Sequence, residues 1–144
     1  MSDYLRGSEW RRWDLHLHTA SSYDYKYHES DADEKLCKTL EENGIAAVAI
    51  TDHFIIDKYR IEHLKTICEN ITFFPGVELR TDKGGKNIHI ILIFNENTNL
   101  DLLSNDFDTI MLRDKAMVGR NTATNMTADE IREQYQDDLH WNFQ

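Results

Sequence analysis

The sequence of 144 residues lacks any apolar run long enough to cross a bilayer. Met1 to Arg12 is too polar to hold the apolar core of a signal peptide. A cytoplasmic protein with no membrane partner is the expectation. Cysteine is scarce: Cys37 and Cys68 are the only two, each inside an apolar helical pattern. They read as buried free thiols, which argues against a disulfide framework. Positive charge is also short, with 16 Lys and Arg against 26 Asp and Glu, for a net charge of −10. That balance disfavours broad binding to a nucleic-acid backbone. It leaves room for a metal-bridged phosphate substrate, because bound cations reverse the local sign. There is no internal repeat and no low-complexity tract. What is present, 40% hydrophobic and 29% charged residues, is a globular composition, long enough for one domain with a core.

The most informative stretch is Trp13-Asp14-Leu15-His16-Leu17-His18-Thr19. Polar and apolar residues alternate with a period of two, which predicts a strand. Residues two apart on a strand point the same way. Asp14, His16 and His18 are therefore expected on one face, with Trp13, Leu15 and Leu17 on the other. Two imidazoles fixed side by side on a stiff element suit a metal ion.

Downstream, a polar Ser- and Tyr-rich loop, Ala20 to Glu29, leads to a helix start. Asp31 with Glu34 has capping-box spacing, Leu36, Cys37 and Leu40 form the apolar stripe, and Gly44 is a fitting stop. Ile45 to Ile50 is apolar on both faces, as a buried parallel strand reads. A second helix is predicted from Lys58 to Asn70, with Ile61, Leu64, Ile67 and Cys68 inward. A third strand follows from Ile71 to Leu79. This β-α-β-α-β order argues for an α/β fold with parallel strands. Arg80 to Lys86 is too short for a helical crossover, and Gly84-Gly85 marks a turn. The strand Asn87 to Phe94 should therefore return as a hairpin. A turn centred between Lys83 and Gly84 sets Glu78 opposite His89; another centre shifts the pairing. Beyond Phe94, Leu100, Leu102 and Leu103 predict a short helix after Asn97 or Thr98. Asp114 to Met126 shows no period. Thr127 with Glu130 forms a capping box before Ile131 and Tyr135, opening a helix to about Asp138.

Functional groups of parallel α/β folds gather at the carboxyl ends of the strands. His16 and His18 end the first strand, Asp52 and His53 the second, and Glu78 the third. His89 starts a strand running back from the same rim, and Asp24 lies in the loop after His18. A lone His-x-His is often only a pair of polar side chains. Four histidines and two or three carboxylates meeting at one rim instead predict a metal site for more than one ion. Imidazole suits Zn, Fe and Mn, and a carboxylate such as Glu78 can bridge two cations. Asp14, deeper on its strand, and Asp52 are expected to support the ligands rather than bind metal. His28, His63 and His140 read as ordinary surface histidines. Tyr23, Tyr25 and Tyr27 read as a half-buried loop edge, and Arg80, Lys83 and Lys86 as a solvated hairpin tip.

These residues resemble the PHP family, the polymerase and histidinol phosphatase domain. The resemblance lies in Asp14-Leu15-His16-Leu17-His18-Thr19, Ile50-Thr51-Asp52-His53, Pro75-Gly76-Val77-Glu78 and Asn87-Ile88-His89-Ile90. The opening Gly7 to Trp13 is similar to PHP domains at the front of large bacterial SMC-like ATPases. The resemblance covers residues 7–94, leaving 95–144 as a partly helical segment of unassigned structure. It implies a distorted (β/α)7 barrel, up to three metal ions and phosphoester hydrolysis. By position, His16, His18 and Glu78 would hold one metal, Glu78 and His89 a second, and Asp24 and His53 a third. A further family histidine and a late Asp-x-His pair are not recognisable after His89. A complete barrel of this general kind takes about 250 residues. The expectation is therefore a partial or truncated barrel: a fragment, a split enzyme completed by a partner or second copy, or a decayed copy. Two functions follow. One is a metal-dependent phosphoesterase, with nothing to select a nucleic-acid end over a small phosphate ester. The other is a catalytically incomplete module that binds metal or a partner protein.

Overall fold

A computed structural model describes residues 10–82, 88–104, 123–124 and 126–135. Expectations resting on Gly7 to Glu9, the turn at Lys83 to Lys86, residues 114–122, the helix end at 136–138 and His140 lie outside them. The elements run β1 (Arg12–Leu17), α1 (Ala32–Glu42), β2 (Ile45–Ile50), α2 (Lys58–Ile67), β3 (Thr72–Thr81) and β4 (Ile88–Ile93). A short helix, α3, follows at residues 100–104, then α4 (Ala128–Tyr135). The sheet order is β1-β2-β3-β4, with two parallel pairings and an antiparallel β3–β4 hairpin. This is the expected α/β class, and the curled four-stranded sheet forms half a barrel.

One face of the sheet carries the core. Alternate residues of β3, namely Phe73, Val77 and Leu79, pack with Val48 and Ile50 of β2 under Leu36 and Leu40 of α1 and Ile61 and Leu64 of α2. Burying each such side chain contributes about 1.5–3 kcal/mol. Leu100, Leu103 and Ile131 join the same cluster. The segment before α4 docks on the end of β3: Thr124 N–H donates to the Arg80 carbonyl (2.8 Å) and Thr81 Oγ1 to the Met126 carbonyl (2.6 Å). The Thr127 capping box forms as expected. Glu130 N–H donates to Thr127 Oγ1 (3.2 Å), and Thr127 N–H donates to Glu130 Oε2 (2.7 Å).

Several expectations are corrected. Asp31 does sit at the N-cap of α1, but its side chain caps nothing. Tyr27 Oη donates to it at 2.6 Å and Lys35 pairs with it at 3.1 Å, so a turn-spanning bond wins over the box with Glu34. Helix α2 stops at Ile67, with Cys68 as its C-cap, short of Asn70. Cys37 and Cys68, expected as separate thiols, are joined in a disulfide with Cα atoms 5.7 Å apart. Each stripe faces the core as predicted; that the two stripes meet is a tertiary fact. In the hairpin, Glu78 pairs with Ile91 and His89 with Arg80. The register is two residues from direct opposition, which keeps Glu78 and His89 on one face.

The alternation of β1 breaks at a bulge. Trp13 pairs with Ala47 and Asp14 with Val48, but pairing resumes at Leu17 with Ile50. Three steps along β1 thus match two along β2. Trp13 consequently stacks on Phe74, ring centroids 6.2 Å apart, on the sheet face that carries Glu78. Leu17 turns to the core. Asp14 parts from the histidines and accepts from the His16 backbone N–H at 3.2 Å.

Candidate metal centre

The strands place most of the site: His16 and His18 at the end of β1, His53 past β2 and His89 at the start of β4, with Asp24 on the loop after His18. Glu78, expected to end the third strand, lies inside β3, which continues to Thr81. It is 4% exposed, held between His53 on one side and Ile91 of β4 on the other. His53, just past β2, bridges in parallel to Glu78, whose N–H donates to the Asp52 carbonyl (3.1 Å). Phe54 follows in the left-handed region, φ 59°, and its N–H donates to the Glu78 carbonyl (3.0 Å). Such non-glycine strain costs about 1–3 kcal/mol and clusters at functional sites. Here it turns the chain sharply after His53, while the Phe54 ring is anchored in the core.

Glu78 is the hub. Its Oε2 lies 2.6 Å from His16 Nε2 and 2.8 Å from His18 Nε2, and its Oε1 lies 2.5 Å from His89 Nδ1. His53 Nδ1 stands farther off, 3.9 Å from Oε2. Asp24 forms a second focus. Its Oδ1 is 3.2 Å from His18 Nδ1, and its Oδ2 is 3.3 Å from His53 Nε2. All six expected ligands therefore converge. Two overlapping groups, His16–His18–Glu78 and His18–Asp24–His53, each hold their ligand atoms within 4.8 Å of one another. His16 and His89 are about half exposed, with side chains at 51% and 48%, so the buried carboxylate sits below an open rim.

The electrostatics suit cations. Burial works to raise the Glu78 carboxyl, but hydrogen bonds from His89, His16 and His18 outweigh it and bring it down to about 2. Burial likewise opposes ionisation of Asp24, yet the Ser22 hydroxyl and the nearby His18 and His53 leave it below the usual carboxylate range. Burial pushes His53 down against the pull of Glu78, favouring the neutral ring that a metal requires. His18 turns one ring nitrogen to each carboxylate. A neutral imidazole has only one N–H, so one of those contacts calls for another positive species, a proton or a metal ion. The donor set, imidazole and carboxylate together, fits Zn, Mn or Fe.

Supporting residues complete the picture. Asp52, 0% exposed, accepts from Thr19 N–H (2.5 Å) and Thr19 Oγ1 (2.6 Å), tying the loop after His18 to the end of β2. Burial pushes its carboxyl up against these two bonds. Asp52→Ala would strand two buried Thr19 donors and is expected to cost about 2 kcal/mol. Asp52→Asn, which can keep one of the bonds, should cost less when the two variants are compared by urea unfolding. Ser22 and Tyr23 join the site without having been expected there. Ser22 Oγ donates to Asp24 Oδ1 (2.7 Å), and the Tyr23 ring packs on His53 with centroids 4.9 Å apart. Both lie in an aperiodic polar loop, where spacing carries no signal. His28 and His63 are exposed, as expected.

A family model described as PHP domain matches residues 14–140. Among solved structures, an amidohydrolase from Chromobacterium violaceum, with bound sulfate and no metal, is similar at 20% identity and a TM-score of 0.50. The alignment covers 69% of this chain and 33% of that one, so this chain spans about a third of its neighbour's length. At that identity the likeness concerns the fold. No curated protein matches the chain. No helix among the described residues is long and apolar enough to cross a membrane.

Proposed function

Because this chain belongs to the PHP domain family, we propose that it is a metal-dependent phosphoesterase, or the N-terminal part of one. The observation that carries the reading is a single buried carboxylate, Glu78, ringed by His16, His18 and His89 with His53 and Asp24 alongside. His16, His18 and Glu78 would hold one cation, Glu78 and His89 a second, and Asp24 with His53 a third. Divalent cations there would polarise a phosphate oxygen and yield hydroxide from water near neutral pH. The chain itself supplies a fixed negative charge at the floor of the site. It keeps the imidazoles at strand ends, where their spacing is set before any ion arrives. It leaves the His16–His89 side open to a phosphate ester.

The test is direct. The purified chain is expected to take up zinc or manganese and to hydrolyse p-nitrophenyl phosphate or its bis ester. Chelation should abolish turnover and restored metal should recover it. Absence of any metal uptake sinks the proposal.

One observation favours a second reading, a metal-binding or docking module without turnover. Trp13, Leu15 and Ile91 are 51%, 39% and 36% exposed, leaving apolar strand surface uncovered in the half-barrel. A second copy or another chain completing the barrel would cover it. Metal uptake with no hydrolysis, together with a defined oligomer in light scattering, would select this reading.

A further inference from the structure

The loop between β1 and α1 carries Asp24 but is scarcely held by burial: among residues 20–31 only Ser22 is buried. Asp24 itself keeps 41% of its side chain exposed. The loop's anchorage is instead polar: Ser22 Oγ, which donates to Asp24, accepts from the His53 N–H (3.4 Å), and the tie to the two helices centres on Ser21. Ser21 Oγ donates to Asp57 Oδ2 (2.6 Å) and accepts from Arg60 Nε (2.7 Å). Arg60 Nη1 pairs with Asp33 at the start of α1. Asp57, the N-cap of α2, also accepts from the Arg60 N–H (3.1 Å). One guanidinium thus ties the loop to the first turns of both helices. The Arg60, Asp33 and Asp57 side chains are only 23%, 15% and 27% exposed, so water competes poorly for these bonds.

We infer that the Ser21–Arg60–Asp33–Asp57 lock is a positioning device for Asp24. It sets how tightly the His18–Asp24–His53 group takes a divalent cation and leaves the His16–His18–Glu78 group alone. This rests on the metal reading proposed above. The two halves differ in what holds them. His16 and Glu78 lie on β1 and β3 of the sheet, and the shared His18 directly follows β1, whereas Asp24 rides on the loop three residues after Ser21. Among the described hydrogen bonds, none joins the lock to a ligand side chain, so its influence passes through the loop backbone. Arginine suits the role because its planar fork serves Ser21 and Asp33 at once, which a lysine ammonium does not reproduce.

The test is zinc titration of the metal-stripped full chain by calorimetry. Asp24→Asn identifies which class of uptake belongs to the Asp24 group. Ser21→Ala removes both hydroxyl bonds and keeps the Arg60–Asp33 pair, so it serves as the mild variant should Arg60→Met fail to fold. Ser21→Ala is expected to weaken the Asp24 class about tenfold and Arg60→Met more, with the other class unchanged within about twofold. Arg60→Lys should recover only part of the loss. The inference is overturned if Ser21→Ala and Arg60→Met titrate like wild type, or if both classes weaken together. It is also overturned if Asp24→Asn removes no class. A wild-type chain that takes up no zinc overturns the metal reading itself, and the inference with it. Normal wild-type uptake with unaltered variants overturns the inference alone.

Discussion

Glu78→Gln is expected to abolish zinc uptake at the His16–His18 side and to lower kcat/KM for a phosphoester by at least about a thousandfold. Glutamine keeps the shape of the side chain and its place in β3, so the fold should survive. It removes the charge on which three imidazoles converge, and a neutral amide cannot bridge two cations. The metal-free protein offers an independent check. The Glu78 carboxyl is held at about 2 in the folded chain, against an ordinary value of 4.5. A carboxyl depressed on folding contributes stability that is complete above its unfolded pKa and is lost as pH falls toward its folded one. The contribution is on the order of 3 kcal/mol, present at pH 6 and fading between about pH 4.5 and 2. Urea midpoints of the metal-stripped chain should fall through that window more steeply in wild type than in Glu78→Gln. Equal steepness would mean that the histidines do not hold the carboxylate as described.

Much of this arrangement is legible in the sequence because it follows from short-range rules. The run Ile45 to Ile50, apolar on both faces, is β2 to the residue. Parallel β-α-β order then forces the ends of β1, β2 and β3 onto one rim, which is enough to bring His16, His53 and Glu78 together. What escapes the sequence is decided by tertiary contact. The bulge in β1 shifts Asp14 off the histidine face because β2 imposes its own register. Asp31 gives up its box because Tyr27, from the preceding loop, reaches it first. The Cys37–Cys68 link needs two helices to converge, and helical periodicity gives each stripe but not their meeting point. The Ser21–Arg60 lock joins residues 39 apart through hydroxyl and guanidinium groups that have no periodic signature.

Gly76→Ala is expected to destabilise the chain by about 3 kcal/mol or more and to impair metal uptake with it. A Cβ at this position would stand 2.7 Å from the Leu92 carbonyl oxygen, 3.0 Å from that of Ile50 and 3.1 Å from Thr51 Cγ2. The two oxygens belong to the backbones of β4 and β2, the strands flanking Gly76, and cannot swing aside as a side chain can. Relief must come from spreading the sheet, and Glu78 lies two residues on, on the same face. Gly44 provides the contrast. It has φ +65° and open space for 4 Å around the point where a Cβ would stand, so Gly44→Ala meets only left-handed backbone strain of about 1–2 kcal/mol. Urea unfolding should therefore rank Gly76→Ala well below Gly44→Ala. Zinc calorimetry should separate them further, because strain at the α1–β2 turn is remote from Glu78. If Gly76→Ala folds and binds zinc like wild type, the close approach of β2 and β4 does not hold the site in shape, and Glu78 depends on its histidine partners alone.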